Sequence, residues 1–367
     1  MPSDNFDKYR NLQKHLDQFP VGFPATTTSI ELKVLKHLFS EQEAIVATKL
    51  SWSYDSPEMI YTRIKDIEVS IVQLEKILAD MASKGTIKYK IINSKRLYAN
   101  IPLVVGIFEY QVNKITKEFL IDFEEYLMTA FGAELVGSKI FQFRTIPIEQ
   151  SINREQFIAN YNEIRQVIEN VEEPIGVTNC LCRQGKELLE DPCKKTLLKE
   201  TCLYFGKTGQ LFINEGWART ISRNKALEIL NKAEADGLAL QSENTLNPEF
   251  ICCCCTCCCE ILARLKLIPR PSRIITSNYY AEVDQQLCLG CGTCVDRCPL
   301  KSIKLVDNIG EVILKRCIGC GVCVPTCSEE AIQLKKREEE IIPPQNSEDL
   351  YTKIMNNKQQ LRKKKRN

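Results

Sequence analysis

The sequence predicts an α+β, multidomain chain, and three observations predict it. Its 367 residues exceed one domain of ordinary size. Helix-period apolar runs and a strand pair fill the first hundred residues, and mixed helix and strand signals follow. All 19 cysteines fall from Cys180 onward, and eight of them sit in a twofold internal repeat. The expected divisions are an N-terminal arm (1–24), a helix-and-hairpin domain (25–101), a cysteine-rich middle domain (102–272), a repeat domain (273–334) and a charged tail (335–367).

Apolar residues make up 44 % and charged residues 26 %, with a formal net charge of +2. This composition supports a sizeable core and gives no overall pull toward nucleic acid or acidic lipid. The polar start MPSDNFDKYRNLQKHLDQFP lacks a leader's apolar stretch, and no 18-residue apolar run exists. The expected location is the cytoplasm. In a reducing compartment dense cysteine points to metal rather than disulfides. The two histidines, His15 and His37, lie far from every cysteine, which leaves all-cysteine zinc or iron–sulfur sites.

Taken in order, Ile30–Phe39 carries a helical apolar period. Ser40 to Glu43 (SEQE) is a capping box opening a second helix through Leu50. Ser56-Pro57 places a cap before an N1 proline. Ser70 to Gly85 holds apolar residues at Ile71, Leu74, Ile77, Leu78 and Met81 and stops at glycine. TIKYKI and RLYANI, joined at Asn93-Ser94, form a hairpin. Four helices and a hairpin in this order read as a winged-helix-like domain. In the middle domain, 104–132 reads as one long amphipathic helix and KIFQFRTIPI as a strand. A helix around Gln156–Asn170, a strand through EPIGVTNCLCR, a capped helix from Ser222 to Gly237 and the strand LALQ follow. The tail after residue 334 reads as a partly helical, mobile extension.

LCLGCGTCVDRCPLKSIKL (287–305) aligns with RCIGCGVCVPTCSEEAIQL (316–334). Both halves have the spacing C-x2-C-x2-C-x3-C, the two-cluster ferredoxin pattern, in which the fourth cysteine serves the other cluster. The expected ligand sets are Cys288, Cys291, Cys294 and Cys327 for one cluster, and Cys317, Cys320, Cys323 and Cys298 for the second. Gly290, Gly292, Gly319 and Gly321 are expected to let backbone N–H groups approach the cofactor, and each fourth cysteine to start a helix. The segment resembles bacterial-type ferredoxins, which implies two [4Fe-4S] clusters and low-potential, one-electron transfer. Where the family repeats Cys-Pro, the second half has Cys327-Ser328. An eight-cysteine zinc module is the alternative, but zinc ribbons pair Cys-x2-Cys knuckles rather than three-cysteine loops.

Eleven cysteines remain, all in the middle domain: Cys180, Cys182, Cys193, Cys202 and the run Ile251 to Glu260, ICCCCTCCCE. Cys180 and Cys182 are expected to face one way in extended chain. Consecutive side chains diverge, so the run serves either two centres on its two sides or one larger cluster. Cys180, Cys182, Cys193, Cys202, Cys252, Cys254, Cys255, Cys257, Cys258 and Cys259 are the candidates for at least one additional iron–sulfur centre. Inert buried thiols and a dithiol/disulfide switch are the alternatives. The order of these motifs also resembles ferredoxin-domain proteins of anaerobic bacteria and archaea, whose run carries a polar residue at the position of Cys253; that resemblance implies Cys253 is not a ligand. Heterodisulfide-reductase-like spacing is absent.

The reading that follows is an electron-transfer protein working with a redox partner protein, with oligomeric state open. A redox-responsive winged-helix regulator and an oxidoreductase subunit with a substrate-binding cluster are the alternatives. Nucleic acid is disfavoured because residues 57–84 carry Glu58, Asp66, Glu68, Glu75 and Asp80 against Arg63, Lys65, Lys76 and Lys84, although Lys88, Lys90, Lys95 and Arg96 make the hairpin basic. Arg362 to Arg366 (RKKKR) reads as a solvated end, and Arg183 and Arg219 as surface or salt-bridge charges, with a place beside a cluster as the alternative. No nucleotide-binding glycine motif is present.

Overall fold

Ser40 and Ser70 each close a capping box in the computed structural model, which describes residues 4–64, 67–151 and 160–366. Lys65, Asp66 and the stretch Gln156–Ala159 of an expected helix lie outside the described residues. The chain divides into two compact units: residues 1–140 with 351–367, and residues 141–350. The segment expected as one middle domain, 102–272, is thus divided at Ile140.

In the first unit, helices span Asp4–Leu16, Ile30–Leu38, Glu41–Ala47, Pro57–Tyr61 and Ile71–Lys84. Ser40 Oγ accepts from Glu43 N at 3.3 Å while Ser40 N donates to Glu43 Oε2 at 2.7 Å, so two orphan donors of the helix start are satisfied reciprocally. Strands β1 (Ile87–Ile92) and β2 (Lys95–Asn100) pair antiparallel across Asn93-Ser94, whose φ values of 48° and 63° suit a tight hairpin turn.

The long helix expected over 104–132 does not form. Val104, Val105 and Gly106 leave helical φ/ψ, and the α-helix begins at Lys117. Proline at 102 followed by two β-branched residues and glycine disfavours continuous helix. Thr116 supplies the new N-cap, its Oγ1 accepting from Phe119 N at 3.2 Å. Phe108 then stacks on Phe123, with ring centroids 4.1 Å apart, in a core that includes Tyr126 and Phe131. The tail is not a mobile extension. Ser347–Arg366 is a helix whose Tyr351 packs edge-on to Trp52 at 4.8 Å, with Ile354 buried and Lys358 paired to Glu134.

The second unit holds the remaining strands: β3 (Phe143–Ile146), β4 (Ile175–Asn179), β5 (Glu200–Phe205), β6 (Arg219–Ile221), β7 (Ala239–Glu243), β8 (Phe250–Cys254), β9 (Tyr279–Val283), β10 (Ile303–Val306), β11 (Ile309–Val312) and β12 (Ile332–Lys336). The first six form one antiparallel sheet in the order β3-β7-β8-β5-β4-β6. Helices Gly206–Asn214 and Arg223–Ala235 pack on β4 and β5. Ser222 caps the second of these, accepting from Lys225 N at 3.2 Å. The repeat folds as two small antiparallel pairs, β9 with β12 and β10 with β11. Between them lies a core of Tyr279, Ala281, Ile303, Ile332 and Leu334 with Cys317 and Cys323.

Candidate metal centres

The repeat presents two cysteine-lined cavities. One is lined by Cys298, Cys317, Cys320 and Cys323 with Ala281, Leu300, Ile303 and Leu334. The other is lined by Cys288, Cys291, Cys294 and Cys327 with Leu289, Thr293, Leu305 and Ile332. Each cavity therefore gathers three cysteines from one half of the repeat and the fourth from the other half.

Backbone N–H groups already point at the sulfurs. Ala281 N donates to Cys317 Sγ at 3.3 Å, Ser302 N to Cys298 Sγ at 3.1 Å and Gly310 N to Cys288 Sγ at 3.3 Å. Such donors stabilise a negatively charged sulfur. Burial pushes the Cys317, Cys320 and Cys323 thiols up, a penalty that a bound cation removes. The other side is more open: Cys291 is exposed, and a hydrogen bond from Thr293 lowers it. Four cysteines per cavity, donors on the sulfurs and apolar walls fit a pair of cubane clusters.

Two local details differ from the sequence expectation. Cys298 ends the helix Thr293–Arg297 rather than starting one, and Cys327 ends the 3₁₀ turn Val324–Thr326. The glycines answer first to sterics. Gly290 and Gly319 have φ of 69° and 63°, and a Cβ would lie 2.0 Å from Asn308 O or 2.3 Å from Tyr279 O. Neighbouring backbone therefore excludes a side chain at both positions.

The eleven other cysteines fall into two groups around strand β8. Cys202 on β5 sits opposite Cys252 on β8. Period-two alternation puts Cys252 and Cys254 on one face and Cys253 on the opposite face. A turn then carries Cys255, Cys257 and Cys258, and Cys259 caps the helix Glu260–Leu267, its Sγ accepting from Leu262 N at 3.5 Å. Cys180 is the N-cap of the helix Leu181–Leu188 and Cys182 lies in its first turn, so these two do not share extended chain as expected. The strand stops at Asn179, and the helix turns both thiols toward the run.

The first group is a chain of six thiols in hydrogen-bond contact: Cys252 to Cys202, Cys202 to Cys180, Cys180 to Cys182, Cys182 to Cys259 and Cys259 to Cys254. Hydrogen bonds from Cys182 and Cys202 hold Cys180 well below the usual thiol range, while Cys182 and Cys202 are pushed up by their contact with it. The second group is Cys193, Cys255, Cys257 and Cys258, whose sulfurs all lie within 4.8 Å of one another. A hydrogen bond from Cys258 brings Cys255 down to about 5, against burial and with help from the Arg183 guanidinium. Cys253 is buried and pushed up by desolvation.

For Arg183 the structure departs from the preferred surface reading and agrees with the alternative, a charge beside the thiols. The residue is 4 % exposed, not a surface charge. It donates to Thr201 Oγ1 and, at 2.8 Å, to Cys253 O, and its charge acts on the sulfurs of Cys180, Cys255 and Cys202. One guanidinium thus faces both thiol groups. Arg219 by contrast pairs with Glu200 on the surface. The only signal for Arg183 in sequence is its place directly after Cys180-Leu-Cys182.

Two further arginines join the repeat to the cysteine-rich sheet. Arg297 Nη2 donates to Glu234 O (3.1 Å) and Ala235 O (2.7 Å) at the C-terminal end of the helix Arg223–Ala235. Arg316 donates to Lys266 O (2.8 Å) and Ile268 O (3.0 Å) at the end of the helix Glu260–Leu267. Cations at helix C-termini meet both unpaired carbonyls and the helix dipole. Each arginine directly precedes a cysteine of the buried cavity, Cys298 or Cys317.

Comparison with protein families finds a 4Fe-4S dicluster domain over residues 280–328. No curated protein and no solved structure matches the chain. No described helix is long and apolar enough to cross a membrane.

Proposed function

We propose that the protein is an iron–sulfur electron carrier that holds two [4Fe-4S] clusters and at least one further cysteine-ligated centre, and exchanges electrons with a separate redox protein. The observation that carries this is the pair of four-cysteine cavities, one partly exposed at Cys291 and the other fastened by Arg297 and Arg316 against the cysteine-rich sheet. Cys288, Cys291, Cys294 and Cys327 would hold the outer cluster, and Cys317, Cys320, Cys323 and Cys298 the inner one. Bound there, the clusters supply one-electron acceptance and release. The chain's own residues shield the inner site from water, aim N–H groups at its sulfurs and fix its distance to the middle thiols. The open rim around Leu289 and Cys291, with Leu289 74 % exposed, suits docking of the partner.

The middle cysteines support a terminal or relay centre, with Arg183 offsetting thiolate charge. The helices and hairpin of residues 25–101 are consistent with a winged-helix-like domain used for protein contact. Lys88 and Lys90 lie over the Tyr54 ring at 5.0 and 4.3 Å, and Arg96 over Tyr89 at 4.6 Å, so three hairpin cations are held against aromatic rings of the same unit. Duplex DNA affinity is expected no tighter than about micromolar at physiological salt, the non-specific range. Cluster-dependent, sequence-selective binding would instead favour the regulator. The test of the carrier is stepwise reduction of the intact, anaerobically purified chain followed by electron paramagnetic resonance. Signals of two magnetically interacting cubanes are expected, and a chain that takes up no electrons would end the proposal.

A further inference from the structure

The four-thiol group is built differently from the repeat. Cys193 Sγ lies 3.7 Å from both Cys255 Sγ and Cys257 Sγ, Cys257 Sγ lies 3.4 Å from Cys255 Sγ, and Cys258 Sγ lies 3.8 Å from Cys257 Sγ. A tetrahedral ion bound at about 2.3 Å per thiolate sets its ligands about 3.8 Å apart. These four edges lie within 0.4 Å of that figure. A cubane cannot accept this spacing, because it attaches each thiolate to a different iron on the outside of the cube, with the inorganic sulfides between. The repeat provides the internal comparison. Among the described residues no three of its eight cysteines gather within the 4.8 Å that encloses all four of this group.

We propose that Cys193, Cys255, Cys257 and Cys258 bind one tetrahedral metal ion, zinc or ferrous iron, as a mononuclear tetrathiolate site separate from any cluster on the six-thiol arc. The chain assembles it from two short pieces. A turn at Leu189-Glu190 and a bend at Lys194-Lys195 flank Cys193 where it meets the run, and Lys194 N donates to Cys257. The turn at Cys255–Cys258 supplies the other three sulfurs. Four thiolates and a divalent ion carry a net charge of −2; the Arg183 guanidinium reaches Cys193, and Lys194, paired with Asp191 at 2.8 Å, adds a weaker attraction toward Cys257 and Cys258. Cys255, Cys258 and the strand residues Cys252 and Cys254 belong to one continuous segment. A closed single-ion site would therefore lock the turn that presents Cys254 and Cys259 to the arc. Borderline-soft divalent ions are the class selected by a tetrahedral all-sulfur set.

The inference rests on the reading that the middle cysteines hold metal, and the experiment separates the two. Intact protein purified without oxygen is analysed for zinc, iron and sulfide, and X-ray absorption is recorded at the zinc and iron edges. One ion per chain is expected beyond the sulfide-matched iron. If it is zinc, its edge shows four sulfurs at about 2.3 Å and no metal neighbour. If it is iron, the same ion is read as one iron in excess over sulfide, with the absorption bands of an iron tetrathiolate. Cys193→Ser and Cys257→Ser should each lose that ion and leave the sulfide content unchanged, whereas Cys182→Ser should lose sulfide-matched iron and keep it. If Cys193→Ser removes about four irons together with their sulfide, the group holds a cubane and the mononuclear site is wrong, while the metal-binding reading stands. If the wild-type chain contains only the eight irons of the repeat and no zinc, both fail. The absorption and metal analysis on wild-type protein decides the matter even where a serine variant does not fold.

Discussion

Arg183 is the buried charge on which both middle thiol groups depend, so replacing it should have a double effect. In Arg183→Met the apolar stem is kept and the guanidinium removed. Two hydrogen bonds from the charged donor are lost, to Thr201 Oγ1 and to Cys253 O at 2.8 Å; the contact to Leu198 O at 3.4 Å adds little. Hydrogen bonds to charged groups contribute about 1.5–3 kcal/mol each, so the variant should lose about 3–6 kcal/mol. At about 2–4 °C per kcal/mol for a unit of this size, the melting point should fall by roughly 10 °C. The second effect is electrostatic. A positive charge beside Cys180, Cys255 and Cys202 favours the more reduced, more negative state of any centre they hold, so its removal should lower that centre's reduction potential. Arg183→Lys keeps the charge and lacks the planar fork. It should lose most of the stability and retain most of the potential. The assays are anaerobic thermal unfolding and a redox titration followed by electron paramagnetic resonance. A methionine variant with wild-type melting and wild-type potential would refute the role assigned to Arg183.

Three other outcomes are expected. Cys298→Ala should damage the site of Cys317, Cys320 and Cys323, whose cavity it lines, and halve the sulfide-matched iron of the repeat; selective loss at Cys288, Cys291 and Cys294 would contradict the crossover. Gly319→Ala should destabilise the repeat by more than about 2 kcal/mol, since left-handed φ alone costs about 1–2 kcal/mol and the new Cβ meets Tyr279 O at 2.3 Å, whereas Gly216→Ala, also left-handed but with open space, should show only the backbone part in denaturant melts. Burial, with Glu249 nearby, pushes the Glu243 carboxyl from 4.5 up to about 8. The folded state then binds its proton more tightly than the unfolded chain, so the contribution of this group is fully favourable below pH 4.5 and is lost as pH rises to about 8, at about 1.4 kcal/mol per pH unit at most. Glu243→Gln should flatten that slope, and an unchanged slope would sink the assignment.

What the sequence disclosed and what it concealed divide along the range of the interactions involved. The capping box at Ser40, the helix from Ser70 to its glycine stop and the turn at Asn93-Ser94 are local chemistry, and each forms where its residues indicate. The repeat was equally legible, because its spacing encodes loop geometry directly. The middle thiols were legible only in part. Alternation in a strand accounts for Cys252, Cys253 and Cys254, but the turn that sends Cys255, Cys257 and Cys258 to Cys193 depends on the loop after Asp191-Pro192. Cys180 and Cys182 were read as strand because Ile175–Asn179 is one; the helix that begins at Leu181 follows it after a single residue and is short, so the strand signal was carried across its start. For Arg183 a surface or salt-bridge role was preferred over a place beside a cluster, for the usual reason that arginines are exposed. Its burial is set by long-range partners, Cys253 O and Thr201, that no local pattern reveals. The break at Val104–Gly106 lay in an apolar stretch whose periodicity favoured a helix over its own β-branched residues and glycine.

The most direct measurement of the central claim is iron and acid-labile sulfide per intact chain, purified and assayed without oxygen alongside electron paramagnetic resonance of the reduced protein. Two cubanes in the repeat account for about eight irons with equal sulfide. The account predicts more than that, with paramagnetic signals from the repeat pair and iron remaining on the middle cysteines when Cys298 and Cys327 are both replaced by alanine. A wild-type chain holding no sulfide-matched iron, with zinc alone filling its cysteines, would contradict it.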